Sequence, residues 1–195
     1  TEADIRPLFE SQLEACGVTY FDFYLMHAQS AKNYGHFKAC RAYETAFALK
    51  AEGRVRHVGL SFHDSAEVLE QILTEYPAIE AVQLQFNYAD YDDPKVQSRK
   101  CYEVCVQHGK PGIAMEPVKG GSLAALPEEV EAPFKEARPE ASTSSWALRW
   151  VASHPDVHVI FSGMSTMEQV EDNLKTFGNF APLTEKDEHI EEGVA

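Results

Sequence analysis

Strand-like and helix-like segments alternate along the whole chain, and no other feature constrains the fold as strongly. An apolar stripe at Ile5, Leu8, Phe9 and Leu13 marks residues 4–16 as a helix, stopped by Gly17. The run YFDFYLM (20–26) reads as a strand ending on His27; a polar loop follows, then a helix over 39–53 closed by glycine. VRHVGLSF (55–62), AVQLQFNY (81–88), GIAMEP (112–117) and VHVIFSG (157–163) supply four more strands. Helices are expected at 65–77, with Ser65 as N-cap, at 94–110 and at 142–155, the last reached through a Gly- and Pro-containing loop. A helix over 165–178, capped by Ser165 or Thr166, follows the last strand, and Thr184 opens another in the tail.

Repeated strand–helix alternation implies parallel pairing through right-handed crossovers. A doubly wound sheet and a (β/α)8 barrel both satisfy it. No G-x-G-x-x-G follows any strand, which weakens the dinucleotide-binding Rossmann reading. Polar residues instead gather at the C-terminal ends of all five strands: His27, Ser61 with His63, Gln83 with Asn87, Glu116, and Ser162. Barrels build their sites there. The expected fold is therefore α/β, a parallel (β/α) barrel of TIM type. Such a barrel takes about 250 residues, so five of its eight βα units are expected here.

The 195 residues suffice for one sizeable core, and 44% hydrophobic with 25% charged residues argues against disorder. Seventeen Lys and Arg against 31 Asp and Glu give a net charge of −14, which disfavours nucleic acid and anionic membranes as partners. No apolar run approaches the roughly 20 residues of a membrane span. TEADIRPLFE shows no signal-peptide pattern, so a cytoplasmic location is expected, and the absence of an initiator Met suggests that residues precede Thr1. Cys16, Cys40, Cys101 and Cys105 lack the number and spacing of a zinc or iron–sulfur set, so reduced structural thiols and no metal are expected.

Five stretches, FDFYLMH, GRVRHVGLSFHDS, AVQLQFNY, MEPVKGG and SGMSTMEQVEDNLK, resemble successive blocks of the aldo/keto reductases in order and spacing. They are similar to the fourth to eighth βα units of that barrel. The likeness is closest to a bacterial subgroup whose barrel precedes a cysteine-rich, ferredoxin-like segment. The resemblance implies a partial reductase barrel over 1–180, with the start of a C-terminal helical extension over 181–195. It implies an oxidoreductase that passes hydride between NADP or NAD and a carbonyl or alcohol substrate. A 4Fe-4S cluster would belong to the parent protein and would not be ligated by this chain.

Residue by residue, the resemblance makes His27 the catalytic histidine, donating a hydrogen bond to the substrate carbonyl. The plain structural alternative is an imidazole that merely caps a buried strand. Ser61 and Gln83 would meet the nicotinamide carboxamide, although Phe62 stands where many members have asparagine. Met115 takes the place of a ring-stacking tyrosine. Pro117, Lys119 and Gly120 belong to a loop that passes the pyrophosphate, and Gly163, Met164 and Ser165 open a helix whose N-terminus attracts phosphate. Gln169, Asp172 and Asn173 would face the adenosine half. From Phe161 to Leu174 there is no Lys or Arg, so NADH and NADPH both stay open. The family's Asp, Tyr and Lys come from the first three units, so the chain alone is expected to be catalytically incomplete. A non-catalytic cofactor-binding or regulatory protein on the same fold is the alternative, and an unrelated barrel enzyme acting on a phosphorylated substrate is a third reading.

Overall fold

A computed structural model describes residues 1–178, 180–184 and 187. They form two units, 1–84 with 100–111, and 85–99 with the described part of 112–195. Five parallel strands alternate with helices through the chain, as the sequence pattern requires.

The first unit holds α1 (Glu2–Cys16), β1 (Phe21–Gln29), α2 (Ala31–Ala39), α3 (Ala42–Ala51), β2 (Val55–Phe62), α4 (Ala66–Glu75), β3 (Ala81–Gln85, its last residue in the second unit) and most of α5 (Ser98–Gln107). β1 pairs with β2 and β2 with β3, both parallel. Val58, Leu60, Val82 and Leu84 from the strands pack with Phe9, Leu49, Leu69, Ile72 and Cys105 from the helices. Each such side chain contributes about 1.5–3 kcal/mol by leaving water. β2 approaches β3 so closely at Gly59 that a Cβ there would lie 2.6 Å from the Ala81 carbonyl oxygen. Only glycine fits.

The second unit holds β4 (Gly112–Met115), a 3-10 turn (Lys119–Gly121), α6 (Glu128–Ala137), α7 (Thr143–Ala152), β5 (Val157–Ile160) and α8 (Met167–Gly178). β4 and β5 pair in parallel. Trp146 on α7 is fully buried against Phe134 on α6 and Leu183 from the tail. Ser142 caps α7, its Oγ accepting the Ser145 N–H at 3.1 Å.

Several boundaries differ from the sequence reading. β1 does not stop before His27 but runs through it to Gln29, with a register shift between Met26 and Gln29. The expected polar loop contains α2, whose AKNYGHFKA has a central glycine and no apolar stripe; Ser30 and Asn33 start it as a capping box. The helix expected from residue 39 begins at Ala42, after Arg41 in a left-handed conformation. α6 was hidden by Pro127 and the internal Pro133, which read as helix breakers, while the buried Phe134 holds it. β3 and β4 end at Gln85 and Met115, earlier than expected, and α5 begins at Ser98 rather than Pro94. Thr184 forms reciprocal cap bonds with Asp187, at 2.9 Å from its N–H and 3.3 Å to its Oγ1. The rest of the expected extension over 181–195 lies outside the described residues.

Candidate active site

In the first unit the candidate residues gather where β1 and β2 end. His27 is exposed, and the next residue, Ala28, has a φ of 51°, left-handed for a residue with a side chain. Three neutral side chains hold this bulge. The Ala28 N–H donates to Ser61 Oγ at 3.2 Å, and Asn33 Nδ2 donates to the Ala28 carbonyl at 2.8 Å. Gln29 Nε2 donates to the His27 carbonyl at 3.2 Å, and the Tyr43 hydroxyl donates to Gln29 Oε1 at 2.6 Å. Gln29 is fully buried, so this link is sheltered from water. The imidazole is thus displayed on a bulge whose backbone is fixed from both sides. Ser61 and Gln83 are direct register partners on β2 and β3, so the expected neighbours are neighbours. Burial, then the adjacent His27, holds the His63 imidazole below its ordinary range, which favours its neutral form.

In the second unit a cavity of about 780 Å³ opens at the C-terminal ends of β4 and β5. Met115, Pro117, Gly120, Gly163, Met164, Ser165, Gln169, Asp172 and Asn173 line it, every second-unit candidate except Lys119. The Lys119 ammonium instead meets Asp90 Oδ1 at 2.6 Å. The phosphate role expected for Lys119 therefore competes with an ion pair already made. Thr166 caps α8 as expected, in a reciprocal pair with Gln169. Thr166 Oγ1 accepts the Gln169 N–H at 3.4 Å, while Gln169 Oε1 accepts the N–H groups of Ser165 at 2.6 Å and Thr166 at 3.2 Å. Those two donors are occupied, so this helix start offers phosphate less than the bare sequence suggests. Asp172 accepts the hydroxyls of Ser142 at 2.5 Å and Ser144 at 3.0 Å, and Asn173 donates to Ser162 Oγ at 2.9 Å.

The lining is acidic. Glu116, Glu168 and Asp172 contribute carboxylates, and no Lys or Arg lines it among the described residues. Glu168 lies below the usual carboxylate range because its own N–H and Thr166 hydrogen-bond it. Among the described residues no three His, Cys, Asp or Glu side chains group as a metal site, and no helix is long and apolar enough to cross a membrane.

Residues 1–192 match the profile of the aldo/keto reductase family. The chain belongs to the aldo/keto reductase family. An uncharacterized oxidoreductase of Schizosaccharomyces pombe is 33% identical over 131 residues, 67% of this chain and 40% of that protein. An aldo-keto reductase from Bacillus halodurans in its holo form superposes with a TM-score of 0.77 at 21% identity, covering 100% of this chain and 68% of that one. Glycerol dehydrogenase from Gluconobacter oxydans gives a TM-score of 0.78 at 17% identity, covering 99% and 64%. At these identities the two structures show the shared fold. The chain thus matches two fifths of the yeast protein and about two thirds of the solved reductases.

In this aldo/keto reductase chain, sequence reasoning missed Glu168, Ser144 and Phe161 of the lining, and Asp90, the partner of Lys119. Asp90 had a readable signal: Asn87 three residues earlier, a residue type favoured at the first position of a four-residue turn.

Proposed function

We propose that the full protein is a nicotinamide-dependent oxidoreductase reducing a carbonyl or oxidising an alcohol. The observation carrying this reading is the 780 Å³ cavity at strand ends of a reductase-family fold, lined by most of the second-unit residues that the family resemblance selects. The cavity fits half of a dinucleotide in size, and neutral groups at Ser162, Ser165 and Asn173 suit ribose and adenine. Bound there, the cofactor would supply the hydride.

The chain's own residues would orient and polarise. His27, exposed on its fixed bulge, donates a hydrogen bond to the carbonyl oxygen and stabilises the charge that develops on it. Ser61 keeps its hydroxyl hydrogen for the carboxamide, since its oxygen is the acceptor for Ala28. Gln83 meets the carboxamide from the neighbouring strand. The proton donor and its activating pair, a Tyr with Lys and Asp, belong to the first three units by family resemblance. Carboxylates at Glu168 and Asp172 repel a 2′-phosphate, so NADH is the favoured cofactor over NADPH. The iron–sulfur subgroup assignment rests on the likeness of the five blocks and on the SFHDS stretch within the second, and a cytoplasmic location belongs to the same reading.

The experiment is an absorbance assay of the full-length protein with NADH and a panel of aldehydes and ketones. Turnover is expected. Tight NADH binding without turnover would point to the regulatory alternative, and neither binding nor turnover would end the cofactor reading.

A further inference from the structure

Asn87 and Asp90 form a tight turn just beyond β3, with the Asp90 N–H donating to Asn87 Oδ1 at 2.9 Å. Asn87 is fully buried, the Asp90 side chain is only 4% exposed, and neither is among the cavity-lining residues. A buried carboxylate is costly unless paired and hydrogen-bonded. Asp90 is both: Gln85 Nε2 donates to Oδ2 at 2.7 Å, Asn87 Nδ2 to the same atom at 2.9 Å, and Lys119 Nζ to Oδ1 at 2.6 Å.

Two of these contacts reach the loop after β4. Lys119 ends in the ion pair, and the Asn87 amide that holds Asp90 also donates to the Glu116 carbonyl at 3.0 Å. Glu116 and Lys119 have φ of 56° and 48°. Left-handed backbone at side-chain-bearing residues persists only where the surroundings over-determine it. Pro117, Val118, Gly120 and Gly121, the residues between and after them, line the cavity.

We infer that Asp90 is a positioning residue: through Asn87 and Lys119 it holds the 116–121 wall in the shape that takes the dinucleotide, without touching it. This inference rests on the cofactor reading above. The competing role, in which the Lys119 ammonium itself contacts a phosphate, predicts the opposite sign. Removing the Asp90 charge would then free Lys119 and tighten binding.

The test uses the full-length protein, NADH as the probe, and Asp90→Asn, which keeps the shape and removes the charge. The NADH Kd should rise on the order of tenfold, as for a binding wall displaced by a fraction of an ångström. Hydrogen exchange at amides 118–121 should quicken relative to the rest of the chain. Lys119→Gln, at a side chain 42% exposed and so tolerant of change, should shift both readouts in the same direction if Asp90→Asn does not fold. An unchanged or lower Kd in Asp90→Asn overturns the inference, as does a loss of stability with Kd and local exchange unchanged. If the unmutated protein binds no NADH, the cofactor reading fails by itself. The exchange data then decide the positioning role: quickening confined to 118–121 upholds it, and none overturns it.

Discussion

The chain leaves β1 and β4 in the same way and secures the two exits by different means. At each, a residue with a side chain sits in the left-handed region, Ala28 after His27 and Glu116 after Met115. At the β1 exit the side chains that bond the backbone of 27–28, Ser61, Asn33 and Gln29, are neutral. At the β4 exit the backbone is held through a buried carboxylate and its ammonium partner. Neutral bonds barely respond to pH or salt; an ionic anchor responds to both. Orientation of the His27 imidazole should therefore be constant across conditions in which the shape of the 116–121 segment is not.

The largest effect should come from the residue that the β1 exit displays. His27→Ala in the full-length protein should lower kcat/KM for carbonyl reduction by about 2.7–4 kcal/mol in activation free energy, with NADH Kd nearly unchanged. Steady-state kinetics beside a fluorescence titration would check the split; an unchanged kcat/KM leaves His27 a structural residue. Next is Asp90→Ala, which strips the acceptor from Asn87 and Gln85 and should cost roughly 1–3 kcal/mol in urea unfolding at pH 7. Burial alone would raise the Asp90 pKa, but Lys119, Asn87 and Gln85 outweigh it and hold the group below 3.8. Its stabilisation is therefore complete above that pH and lost as pH falls through the lower folded value. The variant and the unmutated protein should converge in stability in strong acid; a constant gap would contradict the ionic anchor.

Asn33→Ala should cost about 0.5–1.5 kcal/mol, equally at pH 7 and pH 5, because no charge is involved. A marked pH dependence of that deficit would erase the contrast between the exits. The smallest effect belongs to Ala28→Gly. It relieves left-handed strain less glycine's extra unfolded freedom, for a net gain of about 0.5–1 kcal/mol by thermal unfolding. A loss would mean that the Ala28 methyl group contributes packing that the bulge needs.

The alternation of elements was legible because each strand is a run of apolar and β-branched residues bounded by turn residues. α2 and α6 were not: one lacks an apolar stripe and the other carries Pro133, and each is fixed by contacts that periodicity does not encode. The cavity was largely legible, since strand ends and the start of α8 are local features. Lys119 was visible as a charge, but its partner Asp90 lies 29 residues away, and only folding shows which oxygen it meets. Gln169 was likewise visible as polar, while its bonds back to the N–H groups of Ser165 and Thr166 depend on the turn geometry of 163–166.

The central claim is that the acidic cavity at the ends of β4 and β5 takes the adenosine half of a dinucleotide without a 2′-phosphate. Titrating NADH and NADPH into the full-length protein at low and high salt tests it most directly. NADH should bind at least as tightly as NADPH at both, with NADPH closing the gap as salt screens Glu168 and Asp172. A clear NADPH preference that fades with salt would contradict the account, because it requires a cation facing the 2′-phosphate where this chain presents carboxylates.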